Sequence, residues 1–252
     1  MPVRTLINLV TRAQPRACAI PDGRRVYAVG DIHGRLDLVD RLLDLIDADD
    51  QRRGPAGTEL IFLGDLVDRG PDSRGVVERL MALRETRPVR FLRGNHEEVF
   101  LHALAGDLRA LRFLIRIGGR ETLLSYGITA EEYRELDYDE LMALVRLKVP
   151  AEHIAFLDGF EDWIEIGDYL FVHAGIRPGV ALAEQKPSDL CWIREDFLRH
   201  RESFGRMVVH GHSITEDIDE RANRIGIDTG AFASGRLTAI GLQDEERWYL
   251  ST

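Results

Sequence analysis

Cysteine, uninterrupted apolar runs and positive charge are all scarce in this 252-residue chain. The two cysteines, Cys18 and Cys191, are too few for a disulfide framework and lack the CxxC spacing of a thiolate metal site, so a reducing compartment is expected. No stretch reaches the roughly 18 apolar residues that a membrane span needs. The short run Leu6 to Val10 is followed by no clear small-residue cleavage site. The expectation is a cytoplasmic protein without stable membrane association, residues 1–24 forming a flexible or edge-packed N-terminal arm. Lysine and arginine number 33 against 43 aspartates and glutamates, a formal net charge of -10. That deficit argues against a nucleic-acid partner, because such proteins present a basic face to phosphates. Any phosphate handled here must be held locally, by metals and a few arginines.

What is present is an ordinary globular composition, 44% hydrophobic and 30% charged, over a length that suits one large domain, expected over residues 25–252. Arg25 to Val29 reads as a first strand, and Leu36 to Ala48 as a helix with Leu36, Val39, Leu43 and Ile46 on one apolar stripe. Leu60 to Leu63 is a buried strand, Ser73 an N-cap for a helix through about Arg84, and Val89 to Leu92 a third strand. Strands alternating with helices imply a layered α/β architecture. From Glu97 to about Leu157 helix follows helix, broken at Gly106, Gly118-Gly119, Gly127 and Pro150, and residues 107–157 are expected to form a helical cap beside the site. Strands resume at Trp163 to Ile166 and Tyr169 to Val172, joined by a Gly167-Asp168 turn. Ser188 is expected to cap a helix through Leu198, and Met207 to Val209, Arg224 to Ile227, Leu237 to Leu242 and Arg247 to Leu250 read as strands.

Five polar blocks follow these strand-length runs: Gly30-Asp31-Ile32-His33-Gly34, Gly64-Asp65-Leu66-Val67-Asp68-Arg69-Gly70, Arg93-Gly94-Asn95-His96-Glu97, His173-Ala174-Gly175 and His210-Gly211-His212. Taken singly each has an ordinary explanation, a capped turn, a helix N-cap or a core histidine. Packing needs alone hardly produce all five at strand ends. Together they supply Asp31, His33, Asp65, Asn95, His173 and one or both of His210 and His212. Carboxylates, imidazoles and a carboxamide without thiolate suit Mn, Fe, Zn or Co. The set exceeds what one tetrahedral ion needs, and two ions sharing one carboxylate would use it, an arrangement suited to phosphoryl transfer.

The first three blocks resemble the signature of the PPP-type phosphoprotein phosphatases within the calcineurin-like metallophosphoesterases. The resemblance runs from about Arg25 to Leu242. The later stretches Trp192-Ile193-Arg194 and Ile227-Asp228-Thr229-Gly230-Ala231 look most like the small bacterial and bacteriophage lambda branch. This implies a metallophosphoesterase β-sandwich flanked by helices, with two divalent metal ions, manganese foremost. Asp31 and His33 would bind the first ion, Asp65 would bridge, and Asn95, His173 and His212 would bind the second, leaving His210 as a neighbour. A hydroxide bridging the ions would attack phosphorus in line, His96 paired with Asp68 would protonate the leaving alkoxide, and Arg69, Arg93 and Arg194 would hold phosphate oxygens.

The expected substrate is a phosphoprotein or phosphopeptide, attacked at phosphoserine or phosphothreonine. The runner-up, a symmetrical dinucleoside-tetraphosphate hydrolase, is placed second because that group tends to carry Asp where this chain has Glu97. A phosphodiesterase or nuclease is disfavoured by net acidity and by Ile214, where such enzymes often carry a further histidine. A non-catalytic binding module would not need every one of these groups.

Overall fold

The computed structural model describes residues 18–252. The chain opens with β1 (Arg24–Val29), α1 (Leu36–Arg53), β2 (Gly57–Phe62), α2 (Ser73–Arg84), β3 (Val89–Phe91) and α3 (Asn95–Leu104). Five further helices follow, α4 (Leu108–Leu114), α5 (Arg120–Ser125), α6 (Ala130–Glu135), α7 (Tyr138–Lys148) and α8 (Ala151–Asp158), with a wide π-type turn at Ile115–Gly119 between the first two. Then come β4 (Trp163–Ile166), β5 (Tyr169–Val172), α9 (Pro187–Trp192), α10 (Glu195–Leu198), β6 (Met207–His210), β7 (Asp219–Glu220), β8 (Arg224–Gly226), α11 (Ala231–Ser234), β9 (Thr238–Gln243) and β10 (Glu246–Ser251).

The strands form two five-stranded sheets, ordered β10-β9-β1-β2-β3 and β4-β5-β6-β8-β7. Within the first, β1, β2 and β3 run parallel; within the second, β5, β6 and β8 do. Side-chain alternation along β1 shows how the sheets are covered. Val26 and Ala28 face the second sheet, packing with Ile164, Ile166, Phe171 and Val209, while Tyr27 and Val29 face the helices and join Leu38, Leu42, Val76 and Leu80. Both faces are therefore buried, as parallel strands require. The outer face of the second sheet, Leu170, Val172 and Val208, is covered by Leu190 and Phe197. Each such side chain fully buried is worth roughly 1.5–3 kcal/mol, so the layers hold the strand ends in fixed register.

Several sequence expectations need correction. The first helix continues to Arg53 and turns Leu38 and Leu42 inward with Val39, Leu43 and Ile46, whereas Leu36 is only partly buried. Asp72, not Ser73, caps α2, accepting the Gly75 N–H at 2.8 Å. Ser73 is turned inward instead. The helix expected from Ser188 to Leu198 is two, α9 starting on Pro187 and α10 after a break at Ile193-Arg194. A two-residue strand, β7, carries too little alternation to be read from sequence. Of the proposed arm, residues 1–17 lie outside the described residues. The rest is packed: Ile20 is buried and donates to the Asp244 carbonyl, and Ala19 donates to the Asp168 carboxylate.

Candidate active site and metal centre

Parallel strands within each sheet send their C-terminal ends to one edge, and the candidate ligands sit there. Asp31 and His33 follow β1, Asp65 follows β2, Asn95 opens α3 after β3, His173 follows β5 and His212 follows β6. All are buried. The loops are so close that a Cβ on Gly94 would stand 2.2 Å from Asp65 Oδ1, and one on Gly211 2.0 Å from Asp31 Oδ1. Only glycine fits at either position. His33, Asp65, Asp68, Arg69 and His212 all adopt positive φ, between 49° and 72°. Such left-handed backbone costs non-glycine residues of order 1–3 kcal/mol each, and its concentration here marks a site rather than a packing accident.

Two groups of side chains converge closely enough to hold a metal ion: His33, Asp65 and His96, and Asp65, His173 and His212. Asp65 belongs to both. Its Oδ2 is 3.6 Å from His33 Nε2 and its Oδ1 3.4 Å from His173 Nε2. Asn95 Oδ1 lies 3.1 Å from His173 Nε2 and 2.8 Å from His212 Nδ1. Donor atoms about 2.0–2.2 Å from one ion stand roughly 3 Å apart, the spacing seen among these three. Asp31 lies beside these groups, its Oδ2 accepting the His212 N–H at 2.9 Å. Among the described residues Asp31 Oδ1 is buried without a hydrogen-bond partner, and a cation would satisfy it.

Protonation favours the same reading. Burial pushes His33 down to about 3 and, with His173 nearby, His212 down to about 2, leaving both rings neutral, the form that ligates metals. Asp65 resists burial because His173, His96 and His33 surround it, and they hold it well below the usual carboxylate range. The outer nitrogen of His33 donates to the Val67 carbonyl at 2.8 Å and that of His173 to the Leu63 carbonyl at 2.8 Å, which fixes the rings. Oxygen and nitrogen donors of this kind fit divalent ions.

His96 points its Nε2 to within 3.9 Å of Asp65 Oδ2, while its Nδ1 meets Asp68 Oδ2 at 2.6 Å. Burial opposes its charge, but Asp65 and Asp68 outweigh burial and raise its pKa above the ordinary value. Arg69 spans both rings, Nη1 2.7 Å from His33 Nε2 and Nη2 3.0 Å from His96 Nε2. It is held from beyond the motif: its N–H donates to the Gly118 carbonyl, its Nε to the Ile117 carbonyl, and its guanidinium lies 4.9 Å over Phe232.

The other two arginines differ. Arg194 is exposed at the start of α10 and its Nη2 reaches the His212 carbonyl at 3.4 Å, on the rim. Arg93 instead donates to the Asp158 carbonyl at 2.6 Å, at the end of α8, and lines a cleft of about 430 Å³ with Glu98, Glu161 and Cys191. His210 faces away, packed edge-on against Phe197 at 5.0 Å and 3.5 Å from the Arg224 guanidinium.

Three further groups belong to the site. Glu97 accepts the N–H groups of Gly94, Asp65 and Leu66 at 2.7–3.0 Å, and burial with the nearby Asp65 charge lifts its carboxyl to about 7. Its place three residues after Gly94 is the only sequence signal for this clamp. Thr122 and Ser73 both bind Asp68, and nothing in the local sequence announces either.

Comparison with known proteins agrees with this geometry. Residues 24–229 match the model of the calcineurin-like phosphoesterase family. A bis(5'-nucleosyl)-tetraphosphatase PrpE [asymmetrical] of Anoxybacillus flavithermus is 26% identical over 86% of this chain and 90% of its own. Serine/threonine-protein phosphatase 1 of Salmonella typhimurium is 31% identical over 87% of this chain and 93% of its own. A crystallised candidate diadenosine tetraphosphatase shares the fold with a TM-score of 0.63 at 20% identity, covering 94% of this chain and 98% of that one. A metal-binding phosphoester hydrolase, this chain belongs to the calcineurin-like phosphoesterase family.

Proposed function

We propose that the chain is a two-metal phosphoprotein phosphatase of the small bacterial and lambda-like PPP branch, releasing phosphate from phosphorylated serine and threonine. The observation that carries this is the His96–Asp68 pair set beside Asp65. A serine alkoxide is a poor leaving group, its acid about as weak as water at roughly 15.7, and it needs a proton. A nucleotide phosphate, with a second pKa of about 6, leaves without one. Near-full-length likeness to the Salmonella phosphatase supports the same substrate class.

When bound, two divalent ions, manganese foremost, neutralise phosphate charge and supply an activated water. Asp31 and His33 would hold the first, Asn95, His173 and His212 the second, with Asp65 shared. Arg69 and the rim residue Arg194 orient the phosphoryl oxygens, and His96 gives its proton to the departing oxygen while Asp68 keeps the ring cationic and aimed. We place the enzyme in the cytoplasm; among the described residues no helix is long and apolar enough to cross a membrane.

Likeness to the Anoxybacillus tetraphosphatase favours one second reading, cleavage of dinucleoside tetraphosphates. Manganese-loaded protein given a phosphoserine peptide and diadenosine tetraphosphate in parallel separates them. Higher kcat/KM on the peptide is expected; a strong preference for the dinucleotide would overturn the substrate assignment.

A further inference from the structure

Six strands run parallel in the two sheets, β1, β2 and β3 in one and β5, β6 and β8 in the other. Five of them end in a candidate ligand. The sixth, β8, ends at Gly226, and two residues later comes Asp228, the same offset that places Asp31 after Val29 of β1 and His212 after His210 of β6. Asp228 is 1% exposed. Its Oδ1 accepts the Gly230 N–H at 3.0 Å, whereas its Oδ2 is buried with no partner among the described residues.

Across from it stands Asp31. The two sheets meet here, so closely that a Cβ on Gly30 would lie 2.6 Å from the Ile227 carbonyl oxygen, and the Asp31 and Asp228 carboxyls abut. Asp31 Oδ1 is likewise buried and unpartnered among the described residues. Two buried carboxyls facing each other, each with an oxygen that no donor reaches, are costly unless they share a proton or a cation lies between or beside them. No arginine or lysine side chain donates to either among the described residues. From this we infer that Asp228 is a further metal-holding residue, which joins Asp31 on the first ion, directly or through a water on that ion. The inference rests on the two-metal reading above. It also gives the Ile227-Asp228-Thr229-Gly230 stretch a task that the phosphate chemistry leaves unassigned.

Asp228→Asn is close in shape and keeps an oxygen for the Gly230 N–H. Chelator-stripped wild type, Asp228→Asn, Asp228→Ala and the surface control Asp217→Asn are titrated with Mn²⁺ and followed by calorimetry, with thermal melting of stripped and loaded protein alongside. Wild type and Asp217→Asn are expected to bind two ions. In Asp228→Asn and Asp228→Ala one of the two should bind at least tenfold more weakly, or be lost, and the other should persist. Melting gives a crossed signature: with metal stripped, Asp228→Asn should melt at or above wild type because a repulsion is gone, yet gain less from added Mn²⁺. A merely structural aspartate would not produce that crossing. Two wild-type-affinity ions in both Asp228 variants would overturn the inference. Fewer than two ions in wild type itself would instead sink the two-metal reading.

Discussion

Thr122 Oγ1 lies 2.6 Å from Asp68 Oδ1 and donates to it, while the same oxygen accepts the Asp68 N–H at 2.8 Å. A helix in the segment 107–157 thus grips the carboxylate that aims His96. Asp68 sits at positive φ and is fully buried, so it depends on such outside partners for its orientation.

Thr122→Val keeps the shape and deletes the hydroxyl. Hydrogen bonds to charged groups are worth about 1.5–3 kcal/mol, so a loss spent wholly on the transition state lowers kcat by roughly ten- to a hundredfold. Steady-state kinetics with metal analysis checks this. Bound metal should be unchanged and the loss should fall on kcat.

Gly118 stands at φ 114°, and a Cβ there would meet Arg69 Cγ at 2.7 Å. Gly127, at φ 85°, has open space around its Cβ. Alanine at either position strains the backbone by of order 1–3 kcal/mol. Both variants should therefore melt earlier, but only Gly118→Ala should lose kcat/KM, about tenfold or more, because it displaces the guanidinium.

Arg69 and Arg93, each set in one of the polar blocks, should not be equivalent. Arg69 bridges His33 and His96, whereas Arg93 is bound to Asp158. Arg69→Ala is expected to lower kcat/KM by roughly a hundredfold or more, the loss of a charge-assisted contact of about 2.7 kcal/mol or above, and Arg93→Ala by less than tenfold. Equal losses in parallel assays would show that Arg93 swings into the site when substrate binds.

These contrasts trace what the sequence made legible. The candidate ligands and the candidate acid are readable because each block compresses its chemistry into a few residues at a strand end. Thr122 was not, since its partner is 54 residues away and a helical threonine looks like any other. Gly118 was visible only as a helix break; its contact with Arg69 belongs to the tertiary fold. Ser73 is not the cap of α2, because Asp72 fills that role and frees the serine hydroxyl for the Asp68 N–H. The α/β class and most strands and helices followed from alternation of β and α patterns, but the short β7 and the break at Ile193-Arg194 lie below what periodicity resolves.

Away from the site, Asp49 ties α1 to the sheet, accepting from Tyr27 Oη at 2.8 Å, Trp248 Nε1 at 2.7 Å and Arg53 Nε at 3.0 Å. Burial pushes its carboxyl up, but the bonds from Tyr27, Arg53 and Trp248 prevail and hold it below the ordinary value. A depressed carboxylate stabilises the fold above its unfolded pKa of about 3.9, and that stability drains away as pH falls through the folded value. Asp49→Asn should therefore cost about 2 kcal/mol near neutrality, a few degrees in Tm, and the gap to wild type should narrow below about pH 4. Melting curves across pH check the narrowing.

If two metals and His96 together expel a serine alkoxide, phosphate release should need both. The most direct test is phosphate release from a phosphoserine peptide by chelator-stripped protein with Mn²⁺ restored, for wild type and His96→Asn in parallel, with metal content measured in both. Wild type should release phosphate only with metal restored, and in His96→Asn release should fall at least a hundredfold while two ions stay bound. Unimpaired release by the variant, or none from wild type carrying both ions, would contradict that mechanism.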